Sequence, residues 1–287
     1  MRLYDWVYLI TVANPNAPVG SDNAIEFSNL NDPRGVGPRL QFEIKRGLAK
    51  EPNTCKITIS NLATATRVEL DRNPLIVTVA AGYRDSGPRL MFAGDVRRSY
   101  SDLKGTDYET VIQLRDGGRA FDFGRINRSY KAGVTVLKVL QDLAASMSLT
   151  LPAEVTNASV FKQSLPTGIT FAGPTRDALT RVLAPFGYNW SIQNTRLQIL
   201  QDGQAKPGSA FLINQGSGLI GTPQRSTPDK PKGKSELTLD TLLYPELFPG
   251  ALTKLESATF DGVFRIKELT HKGDTHGDDW KTTLRCA

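Results

Sequence analysis

The chain has 287 residues and a mass of 31.4 kDa, with 39% hydrophobic residues, 35 Lys and Arg against 29 Asp and Glu, two His and two Cys. A chain this long builds cores without covalent staples, and two cysteines, one of them the penultimate Cys286, exclude the disulfide framework of a small secreted domain. No apolar run approaches the roughly 18 residues of a membrane helix, and Asp5 interrupts what would be a signal peptide's apolar core, so a soluble protein made in a reducing cytosol is expected.

Most of the first 115 residues alternate with period 2, the mark of half-buried strands. Arg2 to Ala13 is rich in Tyr, Trp, Val and Ile. Leu40, Phe42 and Ile44 alternate with Gln41, Glu43 and Lys45, and Cys55, Ile57 and Ile59 with Lys56, Thr58 and Ser60. Between Asn61 and Arg72 the spacing of Leu62, Ala65, Val68 and Leu70 predicts one short helix, stopped by Asn73-Pro74 because proline disfavours helical geometry before it. Strands are predicted again over Leu75 to Ala81, Arg89 to Arg97 and Tyr108 to Leu114, with turns at Gly82 to Pro88 and Asp102 to Thr106. So many strands with one small helix predict a closed or nearly closed β-barrel.

Near residue 126 the period becomes 3.6. Val136, Leu137, Leu140, Leu143, Ala144 and Met147 share a helical face behind Thr135, whose hydroxyl is placed as an N-cap. Pro174 and Thr175 open a second helix, with Asp177 in its positive first turn, Leu179, Val182, Leu183 and Phe186 on one face, and Gly187 suited to a left-handed end. Tyr188 to Ile192 and Arg196 to Leu200 follow as a hairpin. The tail returns to strands at Glu236 to Leu239, Ala251 to Ser257, Gly262 to His271 and Asp279 to Cys286. The expected fold class is mainly β: two β-barrel-like domains, residues 1–125 and 203–287, with a small α/β domain at 126–202 between them. A Pro/Lys-rich loop is expected at 222–235.

The net charge of +6 is dispersed. Its densest run, Lys230, Lys232 and Lys234, sits among Pro228, Pro231 and Gly233 as a solvated loop would, whereas a specific DNA reader gathers its basic groups on one face. Gly216-Ser217-Gly218-Leu219-Ile220-Gly221 spells a dinucleotide fingerprint, but that motif works by opening a helix in a βαβ unit, and here Thr222-Pro223 follows; a turn or bulge is expected. Gly233-Lys234-Ser235 lacks the upstream glycine of a phosphate loop, since Pro228 stands in its place. His271 and His276, with Asp278 and Asp279 nearby, have no cysteine and no helical zinc spacing, so a strand-to-strand turn is favoured over a metal site. Cys55 alternates with Ile57 and Ile59 and is expected to be a buried, inert thiol. Trp6, Tyr8, Tyr83, Tyr100, Tyr108, Phe121 and Phe123 have the composition of a stacking platform for single strands, but at strand spacing they are expected in core and cross-strand pairs.

The ordered phrases along the chain carry a resemblance. They are Phe42-Glu43-Ile44-Lys45 leading to Glu51-Pro52-Asn53-Thr54-Cys55-Lys56-Ile57-Thr58-Ile59-Ser60-Asn61-Leu62, then Val79-Ala80-Ala81-Gly82-Tyr83, Phe92-Ala93-Gly94-Asp95-Val96, Asp107-Tyr108 to Asp116-Gly117, Phe260 to Ile266, and His271-Lys272-Gly273-Asp274-Thr275-His276-Gly277. In order and spacing they resemble the baseplate hub (tail hub) proteins of tailed bacteriophages, related to the base of type VI secretion spikes, over nearly the whole chain. The resemblance implies a structural virion protein of the tail baseplate, made in the bacterial host cytoplasm. Two barrel-like domains per subunit would alternate round a homotrimeric ring that imitates the six-fold tail tube. Its implied partners are the tail tube or distal tail proteins, a central spike protein and other baseplate proteins, while DNA transits the lumen without specific binding. It implies no enzyme, no catalytic, metal or cofactor-binding residue, no cofactor and no membrane insertion, and the chain leaves no segment for a lysozyme-like or peptidase domain. Two other readings compete. The α/β domain would bind cell-wall carbohydrate through Trp190 and Tyr188, or a cell-wall hydrolase would use Asp240, Glu246 and Asp261, carboxylates whose pairing no spacing establishes.

Overall fold

The computed structural model describes residues 5–15, 24–31, 37–71, 74–206, 208, 210–226 and 235–287. In the first part of the chain, β1 (Trp6–Ala13), β2 (Ile25–Ser28), β3 (Leu40–Gly47) and β4 (Thr54–Ser60) precede α1 (Thr64–Leu70), and β5 (Ile76–Tyr83), β6 (Gly87–Lys104) and β7 (Asp107–Arg115) follow it. The middle part holds α2 (Gly118–Phe123), β8 (Arg125–Tyr130), α3 (Val136–Ser146), α4 (Ala153–Asn157), β9 (Ile169–Pro174), α5 (Thr175–Leu183) and the hairpin β10 (Tyr188–Gln193) and β11 (Arg196–Gln201). The last part is β12 (Phe211–Ile213), β13 (Leu219–Arg225), β14 (Leu237–Leu242), β15 (Leu252–Glu256), β16 (Asp261–Asp274) and β17 (Trp280–Cys286). The fold is mainly β with a small α/β unit inserted in the chain, as the sequence predicts.

Two compact units result. One comprises residues 1–47, 53–115 and 206–287, the other 48–52 and 116–205. In the first, the strands run β13-β14-β17-β16-β3-β4-β7-β6-β5-β1-β2, with β15 beside β16 and β12 parallel beside β15. The joint is β16. Its Asp261–Arg265 stretch pairs with β15, its Glu268–Asp274 stretch with β3, and β17 lies along Ile266 to Gly273 with a register shift at Lys267. The segments expected as two separate β domains therefore share one continuous sheet.

Side-chain alternation gives that sheet two cores. Tyr8, Ile10, Leu40, Phe42, Ile44, Ile57, Val79, Phe92, Ile112 and Leu114 fill the first; Ile213, Leu239, Leu255, Ile266, Leu269, Leu284 and Cys286 fill the second. Each fully buried aliphatic or aromatic side chain contributes roughly 1.5–3 kcal/mol. The predicted period-2 runs sit where expected, their odd or even members inward, and α1 covers Thr64–Leu70 of the segment assigned to a helix.

The middle unit has its own core of Val139, Leu140, Leu143, Phe161, Phe171, Leu179, Leu183, Trp190 and Ile192. The Thr135 hydroxyl accepts the Lys138 N–H at 3.3 Å, the expected cap. Asp177 lies in the first turn of α5, and Gly187, at φ 69°, ends the short 3-10 turn Ala184–Phe186 that follows it. This unit starts at 116 rather than 126 because α2 packs Phe121 into its core.

Three local expectations need correction. Gly82 to Pro88, assigned to a turn, is mostly strand, since β5 runs to Tyr83 and β6 starts at Gly87, pairing Gly82 with Pro88 and leaving residues 84–86 to turn. Thr222 to Arg225, assigned to the Pro/Lys-rich loop, belong to β13, which pairs Gln224 with Thr238 and Arg225 with Leu237 around an irregularity at Gly221–Pro223. Lys230, Lys232 and Lys234 lie outside the described residues. Asp102 to Lys104, assigned to a turn, are strand: β6 runs to Lys104 and pairs Leu103 with Tyr108, leaving only Gly105-Thr106 to turn. The charged, exposed ends of this ribbon carry no core-facing apolar alternation, so period 2 stops before the strand does.

Candidate functional site

The residues with chemical potential are held in structural roles. Cys55 is buried in the first core, and burial pushes its thiol far up. His271 is in β16 and wholly buried, while His276 is exposed in the turn to β17, so the expected turn holds only one of them. The Thr283 hydroxyl donates to Asp240 at 2.6 Å, Glu246 faces Arg89 at 3.7 Å, and Asp261 begins β16 opposite Glu256. Among the described residues no three His, Cys, Asp or Glu converge as a metal site requires. The Gly216–Gly221 run is a turn: the Asn214 carboxamide oxygen accepts the Ser217 N–H at 2.9 Å, the Ser217 hydroxyl accepts the Asn214 N–H at 2.8 Å, and a strand rather than a helix follows.

A shallow depression of about 180 Å³ on the outer face of β3, β4 and β16 is lined by Gln41, Glu43, Lys56, Thr58, Lys272 and Asp274. Its carboxylates are paired. Lys272 lies 3.7 Å from Glu43, and Asp274 accepts from Arg39 at 3.1 Å and Gln41 at 2.7 Å. Burial alone would raise the Asp274 carboxyl, but these donors, the His276 amide and the Arg39 charge hold it below its ordinary range. The Thr275 hydroxyl accepts the Leu40 N–H at 2.9 Å, so the turn after β16 clamps the start of β3.

The aromatic residues divide. Tyr8, Tyr83 and Phe121 are buried as expected, and Trp6 stacks on Trp280 with centroids 5.1 Å apart and planes 9° from parallel. Tyr108 is exposed but pairs across strands with Leu103, whereas Phe123 ends α2 and is exposed rather than in the core. The aromatics of the carbohydrate reading point inward: Trp190 is 3% exposed and donates its indole N–H to Thr180 at 3.0 Å, and Tyr188 packs edge-on to Phe161 with centroids 4.9 Å apart. That removes the exposed platform the reading required.

In the middle unit Asp116, which the sequence singled out only as part of the Asp107-Tyr108 to Asp116-Gly117 phrase, has a structural role. Asn194 and Thr195 form the two-residue turn of β10–β11 at φ 52° and 62°, a backbone region a β-branched threonine rarely adopts. The buried Asp116 carboxylate accepts both of their amide N–H groups at 2.6 Å and holds that turn in place. Asp116→Asn, which keeps one acceptor oxygen, is expected to cost about 1.5 kcal/mol. Hydrogen exchange at the Asn194 and Thr195 amides, accelerated at least several-fold, is the measurement that checks it.

The phrases carrying the resemblance lie where this architecture leaves little choice. At Gly94 a Cβ would lie 2.6 Å from the Arg115 carbonyl oxygen, so only glycine lets β6 pass β7 there. Phe42 and Ile44, Cys55 to Ile59, and Val79 to Tyr83 supply inward rows of the first core. No protein-family model matches the chain. No curated protein matches it. Solved structures do. The 43 kDa tail protein of prophage MuSo2 from Shewanella oneidensis is similar over 97% of this chain and 96% of its own, with TM-score 0.64 and 9% identity. A tail protein from Neisseria meningitidis covers the same shares with TM-score 0.62 and 13% identity.

This chain shares its fold with phage tail proteins. A component of the E. coli type VI secretion system, described as structurally similar to the T4 bacteriophage tail proteins gp27 and gp5, extends the likeness to spike-related proteins. It is similar over 87% of this chain and 73% of its own, with TM-score 0.59 and 10% identity. The resemblance read from the ordered phrases thus reappears in the tail-protein fold, at identities too low for any residue role to be carried across.

Proposed function

We propose that this chain is a structural, non-catalytic component of a phage tail or tail-like particle. Its place is the baseplate hub: a homotrimeric, pseudo-six-fold ring that joins the tail tube to a central spike and lets DNA pass through its lumen. The observation that carries the reading is the likeness to tail proteins along almost the whole of both chains. The two cores of the continuous sheet support it, because two β cores per subunit, taken three times, give six positions around an axis. On the outer face of the sheet Glu43, Asp240, Glu268 and Asp274 are interleaved with Lys45, Lys56, Lys272 and Lys281, a balance that passes a polyanion without holding it. No helix among the described residues is long and apolar enough to cross a membrane. The proposed partners are tube or distal tail proteins, the spike and other baseplate proteins, in the virion tail.

Light scattering on the purified chain, with negative-stain images of the same peak, tests this. The expected result is a mass about three times 31.4 kDa and a ring with a central hole. A monomer that stays monomeric when co-expressed with its neighbouring tail genes would overturn it.

A further inference from the structure

The middle unit leaves one large apolar side chain uncovered. Among residues 116–205 it is Phe123, the last residue of α2, which is 77% exposed while the other large apolar groups of the unit are buried or half-buried. A single exposed apolar residue is ordinary on a protein surface, so what matters is how this one is mounted. The Gly124 N–H donates to the Ala120 carbonyl at 3.0 Å, and the Gly124 carbonyl accepts the Thr175 N–H at 3.0 Å. A Cβ at Gly124 would lie 2.6 Å from the Ala120 carbonyl oxygen and 2.8 Å from Met147 Cγ, so the chain leaves the helix here against packed atoms. Arg125 Nη1 donates to the Asp122 and Gly124 carbonyls at 2.9 and 3.1 Å, and Arg176 Nη1 donates to the Phe121 carbonyl at 3.1 Å. The backbone that carries Phe123 is thus fixed before anything binds, and only the torsions of its side chain are left to be ordered on docking.

The same mounting makes the rim positive. Arg125 and Arg176 spend Nη1 on backbone carbonyls, and neither guanidinium has an ion-pair partner among the described residues. In all, α2, the start of β8 and the first turn of α5 carry Arg119, Arg125 and Arg176 against Asp122 and Asp177. Packed on its own copy about a two-fold axis, this face would set guanidinium against guanidinium, which disfavours the chain itself as the occupant. Single-stranded nucleic acid is held by successive rings along a basic groove, and this unit exposes one ring. A protein surface with an apolar pocket for the ring and carboxylates for the remaining arginine donors meets both features, and aromatic and arginine side chains are the residues that anchor such contacts.

We propose that Phe123, with Arg125 and Arg176 beside it, is the docking anchor for a neighbouring tail protein that presents an apolar pocket bordered by carboxylates. The inference rests on the tail reading above and assigns the middle unit a contact of its own, separate from the sheet that forms the ring. The probes are the purified products of the neighbouring tail genes, each titrated against the full chain at low and at high salt. One of them is expected to bind, and Phe123→Ala to weaken that binding at least tenfold. Phe123 is outside the core of its unit, so the melting temperature of this variant is expected to stay unchanged. Arg125→Gln keeps a donor for the carbonyls but removes the charge. It is expected to weaken binding about threefold at low salt and to flatten the salt dependence, which a purely structural arginine would not do. If the chain is trimeric and no neighbour binds, or one binds Phe123→Ala as tightly as the unchanged chain, the docking proposal fails and the ring reading stands. An oligothymidylate bound by the unchanged chain and lost in Phe123→Ala would make this a nucleic-acid site and overturn the proposal as well. If the chain is a monomer that none of its neighbours binds, both fail.

Discussion

Gly273→Ala is expected to destabilise the sheet unit by about 3 kcal/mol, at the upper end for one extra methyl group in a packed core. A Cβ at this position would overlap the edge of the Phe42 ring and come within 2.7 Å of Trp280 Cζ3. Neither ring can step aside. Both are buried, Phe42 meets Trp280 edge-to-face at 5.4 Å and 70°, and the other side of Trp280 is stacked on Trp6. Nor can the backbone move, because Gly273 pairs with Phe42 on β3 and with Trp280 on β17. For a body of this size 3 kcal/mol corresponds to a fall of roughly 6–12 °C in melting temperature. Calorimetry of the full chain checks it, and Phe42→Leu in the Gly273→Ala background is expected to recover part of the loss, a coupling that a remote effect would not show. An unchanged melting temperature would mean that the aromatic cluster is looser than its geometry.

Acid is expected to weaken the same unit through His271. The imidazole is wholly buried, its Nδ1 lies 2.8 Å from the Thr282 hydroxyl, and its Nε2 has no hydrogen-bond partner among the described residues. The Thr282 hydroxyl already accepts the Tyr244 N–H at 3.1 Å, so it is free to donate to Nδ1, leaving the proton on Nε2. Burial first, and then the positive charge of Arg46, lower the His271 pKa from 6.5 to about 3. The folded-state value is below the unfolded one, so the unfolded chain takes up a proton from about pH 6.5 downward while the folded chain refuses it until pH nears 3. Stability therefore falls as pH drops through that window, at about 1.4 kcal/mol per unit well below pH 6.5 and about 2.7 kcal/mol in all by pH 4.5. Asp142, Glu236 and Asp274, held below their ordinary range, add their own loss only as pH falls past their usual values near 4, so the interval from pH 6.5 to 5 isolates the histidine. Urea unfolding of the unchanged chain and of His271→Asn across this interval is the comparison: the variant, whatever its starting stability, is expected to lose most of the slope. Equal slopes would remove His271 as the cause.

Much of this fold was legible in the residues. Leu40 to Lys45 and Cys55 to Ser60 announce which side of β3 and β4 faces inward, Thr135 marks the start of α3, and Pro174 with Gly187 brackets α5 and its closing turn. Those signals act within a few residues of each other, where spacing and side-chain chemistry decide alone. The exposed apolar residues were not legible. Leu103 was assigned to a turn and Tyr108 to a strand, and only the extension of the paired ribbon beyond the edge of the core leaves both exposed. Val263 belongs to a strand correctly placed from sequence, yet its exposure depends on β15 and β12 lying beside it. Asp116 was read only as part of a phrase, its role hidden because its partners, Asn194 and Thr195, are almost eighty residues away.

The sequence by itself determined the mainly β class, the inward face of most strands, the two principal helices with their ends, the turn at Gly216–Gly221, and a resemblance to tail hubs that the fold now matches. Only the tertiary structure decided that β3 pairs with β16, which makes one sheet with two cores out of the two ends of the chain. It alone decided that His271 is sealed in while His276 is not, and that Trp190 points inward. The physical reason is that a period of two says which way a side chain points and nothing about which strand lies alongside. Partner choice is settled by the packing of all the inward rows together, and exposure is whatever that packing leaves uncovered.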